Sequence, residues 1–372
     1  MYSNSDKKLV AIYSCTHFLV DLSCIFLVTA FIIPQLPSHM DWLWCMLAYN
    51  FCAFAMQMPV GAFIDRVGKP WLWASAGCIL ITLSYLLTGI PILACTVSGI
   101  GNSCFHAGGG VSVLGISRRR ATLSGIYVST GAFGVYLAPK LANRFALIYG
   151  WSNLVAIGTM IICAVFLLFG HLGEKNILNN FDVHYREQVK DDSILNTAYR
   201  DSKKSLVLIA AICMFVTVCF RSYTGTIMGF SWKGVPALGL LFTVGIVMGK
   251  MFGGILGDRF GWSRVTVGSL ALSALLFAMA AKLPAAGIIG VFLFNMTMPI
   301  TLVALANIFE ENQGFAFGLT TMALFLGTLP SMLGYKVNGA AMWWIIPAAV
   351  IFSAVMLGAG LICYNKREGD RK

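Results

Sequence analysis

The sequence predicts an all-α membrane protein of twelve transmembrane helices, folded as two pseudo-symmetric six-helix bundles with both termini cytoplasmic. Three observations predict it. Of 372 residues, 58% are hydrophobic and only 11% are charged, more apolar surface than the interior of a soluble chain this long can hide. Apolar runs long enough to cross a bilayer recur from one end to the other. Finally, Gly61-Ala62-Phe63-Ile64-Asp65-Arg66-Val67-Gly68-Lys69 returns 193 residues later as Gly254-Ile255-Leu256-Gly257-Asp258-Arg259-Phe260-Gly261. The same offset carries Asn102 onto Asn295, Gly125 onto Gly318 and Gly134 onto Gly327. One unbroken offset across four segments marks two homologous halves.

In chain order, hydrophobic runs predict helices over 9–33, 42–64, 71–88 and 90–116, a fifth starting near 122 and a sixth over 151–170. These form a first bundle, residues 1–170. Residues 171–204 are rich in Lys, Arg, Asp and Glu and predict a solvated linker. The second bundle, 205–372, repeats the plan, with helices starting near 205, 235, 263, 285, 314 and 341. With both termini inside, 19 of the 26 Lys and Arg residues fall in inner segments, which sets the orientation. An even number of helices per half makes the repeats parallel, about an axis along the membrane normal. The net charge of +11 follows from this topology, so no nucleic acid is expected. Eleven cysteines lie scattered, mostly in apolar runs and without a C-x-x-C pair, and read as small buried hydrophobes. Lys7 and Lys8 precede an apolar run of about 25 residues with no small-residue cleavage pattern, so no cleaved leader is expected.

Both Asp-Arg motifs fall in inner loops. Gly61 and Gly254 let helices approach closely, Asp65 and Asp258 can accept from free N–H groups at a helix start, and Arg66 and Arg259 can pair with acids or lipid phosphates. The pattern resembles the G-x-x-x-D-R-x-G-[RK] signature of the major facilitator superfamily. The first copy matches through Gly68 and Lys69; the second departs after Gly261, with Trp262 where a basic residue is usual. The resemblance implies that these loops lock the two halves on the cytoplasmic side and gate a transport cycle. A narrower resemblance, to the fosmidomycin-resistance branch, rests on His17-Phe18-Leu19-Val20-Asp21, Gln57-Met58-Pro59-Val60-Gly61, Gly99-Ile100-Gly101-Asn102 with Phe105-His106, and Arg221-Ser222. After His106 this chain has Ala107-Gly108-Gly109-Gly110 where that branch has proline and polar residues, which leaves the substrate open.

An ionisable group in mid-membrane costs about 3 kcal/mol, which makes it a functional candidate. Asp21 lies near the centre of helix one and His17, four residues earlier, shares its face; the pair can hold a proton or simply stitch helices together. His106 and Asn102 share a face of helix four; at the repeat positions stand Pro299 and Asn295, an asymmetry suited to an asymmetric ligand. Arg221, with Tyr223 two residues on, needs a partner: Asp21, a backbone carbonyl, an anionic substrate group or the outer headgroups. Lys250 reads as snorkelling to the inner interface. Helix five carries Gly125, Gly131, Gly134 and Pro139, which permit bending and close contact. By resemblance, helices one, four, seven and ten line the central cavity.

The expectation is a secondary transporter of the cell membrane that exports a small, possibly anionic, organic molecule in exchange for protons by alternating access. Uptake of an organic anion and a non-transporting substrate sensor are the alternatives. No G-x-S-x-G, H-E-x-x-H or Walker G-x-x-x-x-G-K-[ST] occurs, so neither an enzyme nor an ATP-driven pump is expected. The expected partners are the substrate, the proton and the bilayer, with no cofactor and no metal, and the chain is expected to act as a monomer.

Overall fold

A computed structural model describes residues 2–145, 152–168, 197–335, 337 and 341–369. All regular structure among them is helical. The helices are α1 (Asn4–Phe26), α2 (His39–Asn50), α3 (Gln57–Val67), α4 (Pro70–Ser84), α5 (Pro91–Ser117), α6 (Ala121–Phe145), α7 (Ser152–Leu168), α8 (Thr197–Ile227), α9 (Pro236–Phe260), α10 (Trp262–Met279), α11 (Pro284–Asn295), α12 (Thr297–Ile308), α13 (Gln313–Met332) and α14 (Met342–Gly369).

The ends follow from local chemistry. Ser3 and Asp6 form a reciprocal capping box at the start of α1, joining side chains to backbone N–H groups at 3.0 and 2.9 Å. Proline opens α4, α5, α9 and α11, where its missing N–H costs nothing. Gly68 (φ +76°) ends α3 and Gly261 (φ +94°) ends α9, in backbone that disfavours a Cβ; the glycines of the repeated motif are thus helix stops. Two predicted single helices are interrupted. A wide turn at Phe51–Ala55 separates α2 from α3, and α11 meets α12 at Met296.

Among the described residues, ten helices are long and apolar enough to cross a membrane, the second combining α2 with α3 and the eighth α11 with α12. α7 is apolar but shorter. α5 is long, at 27 residues, yet is not one of the ten, because Ser98, Asn102, Ser103, His106 and Ser112 interrupt it. Helix α8 starts at Thr197, so the end of the predicted linker is helical; residues 171–196 of that linker lie outside the described residues.

The packing repeats as the sequence does. α1 lies along α6 and α8 along α13; α4 lies along α5 and α10 along α11. Among the described residues the halves meet chiefly where α3 lies against α13 and α6 against α9. Both depend on glycine: a Cβ on Gly61 would overlap the Gly314 carbonyl, and one on Gly254 would lie 2.5 Å from the Ala121 carbonyl oxygen. Tyr2 Oη donates to the Ser117 carbonyl (3.4 Å) and Asn365 Nδ2 to Ser263 Oγ (3.1 Å), which places the start of α1 and the end of α14 on the face that carries the two Asp-Arg motifs, themselves in the last turns of α3 and α9 rather than in loops.

Candidate functional site

The motif carboxylates bind helix starts, as the sequence suggests, but in the opposite half. Asp65 Oδ1 accepts from Gly314 N and Oδ2 from Phe315 N, both at 2.8 Å, in the first turn of α13. Asp258 repeats this 193 residues on. It accepts from Ala121 N and Thr122 N at 2.9 Å, and from Thr122 Oγ1 at 2.6 Å, at the start of α6. First-turn N–H groups have no partner within their own helix and carry the positive end of its dipole, so each carboxylate is a charged cap across the interface. Trp262 is not a spectator: its Nε1 donates to Asp258 Oδ1 at 3.0 Å. Arg66 and Lys69 are exposed, and Arg259 lies 5.4 Å over the Phe260 ring.

The membrane candidates of the first half converge. His17 Nε2 lies 3.3 Å from Asp21 Oδ2, His106 Nε2 lies 3.5 Å from Asp21 Oδ1, and the two Nε2 atoms are 2.9 Å apart. Asn102 Nδ2 donates to Asp21 Oδ1 at 3.3 Å. The far sides of both rings are tied to backbone, His17 Nδ1 to the Tyr127 carbonyl (2.8 Å) and His106 Nδ1 to the Asn102 carbonyl (2.9 Å). His17 is sealed off, at 7% side-chain exposure, while Asp21 and His106 keep 17% and 12%. The cluster spans α1, α5 and α6. A Cβ on Gly131 of α6 would overlap Asp21 Oδ2 and lie 2.5 Å from His17 Nε2, so Gly131 makes room for the carboxylate. The sequence offered Gly131 as a point of bending and close contact, but what it contacts is visible only in three dimensions.

Arg221 belongs to a second place. It donates from an Nη to the Phe294 carbonyl at 2.9 Å, stacks 4.7 Å from the Phe294 ring centre and is 8% exposed. Among the described residues nothing joins it to Asp21, so of the partners open to it the backbone carbonyl is the one it takes. Its Nε is buried without an acceptor. A cavity of about 160 Å³ opens beside it, lined by Arg221, Ser222, Asn295, Thr320, Phe242 and Phe294 among others, all from the second half. Asn295 lines this cavity while bonding the Val291 carbonyl at 2.9 Å; Tyr223 packs against the apolar core instead. No residue of α1 or α5 lines it, so this cavity is not shared by the four predicted helices.

Gln57 and Lys250 stand at equivalent positions of the repeat, and both lie where the halves meet. Gln57 is buried, with Nε2 on the Ala53 carbonyl at 2.5 Å and Oε1 without a donor. Lys250 does not snorkel: half-buried, its Nζ donates to the Val128 carbonyl of α6 at 3.1 Å. A hydrogen bond from a charged donor is roughly twice as strong as a neutral one, which favours this contact with the other half.

The sequence model of the Major Facilitator Superfamily matches residues 13–332, most of the chain. The chain belongs to that superfamily. Its members are transporters, so this protein is a transporter of small molecules rather than an enzyme, and a multi-pass protein of the cell membrane. It is 26% identical over 324 residues to an MFS-type transporter of Bacillus subtilis, YfnC, itself uncharacterised, covering 79% of this chain and 76% of that one. In fold this transporter is similar to the E. coli fucose:proton symporter FucP, with TM-score 0.59 and 13% identity, over 98% of this chain and 99% of that one. FucP in its outward conformation gives TM-score 0.55 at 14% identity, over 96% and 99% of the two chains.

Proposed function

We propose that this transporter exports a small organic molecule bearing an anionic group, in exchange for protons, by alternating access. The reading takes α5 and α7 with the ten long apolar segments as twelve spans. They form two bundles, 1–170 and 205–372, around a cytoplasmic linker at 171–204, with both termini cytoplasmic and the chain acting as a monomer. The paired Asp65 and Asp258 caps then hold the cytoplasmic side shut, and the cycle must break them to open it.

The observation that carries the proton role is the convergence of His17, Asp21 and His106. A carbonyl only accepts, so the hydrogens of both rings sit on Nδ1, facing Tyr127 and Asn102. In the neutral rings both Nε2 atoms are then bare, and they face each other and a carboxylate. One proton between them turns repulsion into charge-assisted hydrogen bonds. Likeness to the fosmidomycin-resistance branch favours export. Proton-coupled uptake is the second reading, supported by the fold shared with a fucose:proton symporter.

An organic anion that stabilises the purified protein, labelled and followed in vesicles of known orientation, tests both. Export predicts uphill accumulation in inverted vesicles under an imposed proton gradient, lost in Asp21→Asn while counterflow survives. Unchanged uphill transport by Asp21→Asn would remove Asp21 from coupling, and accumulation confined to right-side-out vesicles would select uptake.

A further inference from the structure

The same cluster has the chemistry of a metal site. His17 Nε2, His106 Nε2 and an Asp21 oxygen all lie within 4.8 Å of one another, on two helices whose ligand residues are 85 positions apart in sequence between Asp21 and His106. No sequence motif shows such a set, because its ligands come together only through helix packing. Two nitrogen ligands about 2.0–2.1 Å from one tetrahedral ion stand roughly 3.3 Å apart. The separations here, 2.9, 3.3 and 3.5 Å, bracket that value.

Three further features make this more than a chance encounter. Each ring is backed at Nδ1 by a carbonyl, the arrangement that fixes the tautomer and aims Nε2 of a metal-bound histidine. Asp21 is held in place by Asn102 Nδ2, and the absent side chain of Gly131 leaves it room. Asp21 and His106 are the partly exposed members, so the open side of the triangle is where an ion and a fourth, solvent ligand would enter.

We propose that His17, Asp21 and His106 form a binding site for one divalent transition-metal ion of the zinc, cobalt or nickel kind. Two imidazoles and one carboxylate suit such borderline ions; magnesium and calcium ask for more oxygen ligands than the site offers. One cation fills the triangle at a time, so the bound ion excludes whatever else the cluster carries. Binding itself does not depend on what is transported or in which direction.

The test uses the purified full chain in detergent, titrated with CoCl2 and followed by visible absorption, with ZnCl2 titrations by calorimetry. The expected result is one site per chain, with the cobalt bands of a tetrahedral nitrogen-and-oxygen set and at least a tenfold loss of affinity in His106→Gln. A His39→Gln control, at an exposed histidine outside the cluster, keeps wild-type affinity, and the thermal unfolding of each variant without metal shows that it is folded. No binding below millimolar metal, affinity unchanged in a folded His106→Gln, or a thiolate-to-cobalt band placing the ion on a cysteine would each overturn the assignment. Because flux is not measured, failure here leaves proton coupling standing, and failure of the vesicle experiment leaves the metal site standing.

Discussion

At the scale of single residues, Arg221 states the clearest demand on a substrate. Its guanidinium is always charged, it is nearly buried, and it spends one donor on Phe294 while its Nε has none of the acceptors available to it. An anionic group entering the adjoining cavity would supply that acceptor against Phe242 and Phe294. In a thermal-shift screen of organic acids, phosphonates and lipophilic cations, a ligand near a hundred times its Kd adds about 2.7 kcal/mol. That corresponds to a rise of roughly 2 °C or more. Anions are expected to give this rise in the wild type and lose it in Arg221→Ala; stabilisation by cations alone would exclude the role. The need for a partner was legible in the sequence, because arginine cannot neutralise itself. The partner was not, since the Phe294 carbonyl is 73 residues away and any carbonyl reads alike in a sequence. Likewise His17 and Asp21 were legible as one helical face, whereas His106 joining them required the register of α1 against α5.

At the scale of elements, helix existence followed from hydropathy, and the exceptions have a physical cause. α5 carries Asn102 and His106 of the cluster among its polar residues, so the predicted helix over 90–116 is present but is less apolar than the ten long spans. Gly61 and Gly254 were legible as sites of close approach, whereas Gly68 and Gly261, the other glycines of the motif, proved to be helix stops. What the motif aspartates cap was hidden, because the free N–H groups belong to helices in the other half. Hydrogen bonds to a charged acceptor contribute roughly 1.5–3 kcal/mol each. Asp65→Asn keeps one acceptor oxygen and loses the charge and the second, so the first turn of α13 should open more often. By hydrogen–deuterium exchange, the peptide containing Gly314 and Phe315 is expected to exchange roughly tenfold faster, the scale of about 1.4 kcal/mol, while the first turn of α6, held by Asp258, stays protected. Equal protection in the variant would show that the cap does not hold the interface.

At the scale of the whole molecule, the repeat is obeyed closely enough that its departures carry information. Asp65 and Asp258, Gly314 and Ala121, Phe315 and Thr122 are all related by the same 193-residue offset, and the two caps have the same geometry. Gln57 and Lys250 share that offset but not their partners: Gln57 bonds Ala53 in the wide turn just before α3, within its own half, whereas Lys250 reaches across to Val128. One of the two equivalent seams therefore carries a charged bond that the other lacks. That bond exists only while α9 lies against α6, so it favours the arrangement closed on the face of the Asp-Arg motifs. Lys250→Met keeps most of the apolar stem and removes the donor. The expected consequence is faster deuterium exchange in the first turn of α6, by up to roughly tenfold on the scale of one charged hydrogen bond. The first turn of α13 should change less, because the α3–α13 seam never had such a bond. If both seams loosen equally, the halves separate as one rigid unit; if neither does, Lys250 is not what holds α9 to α6.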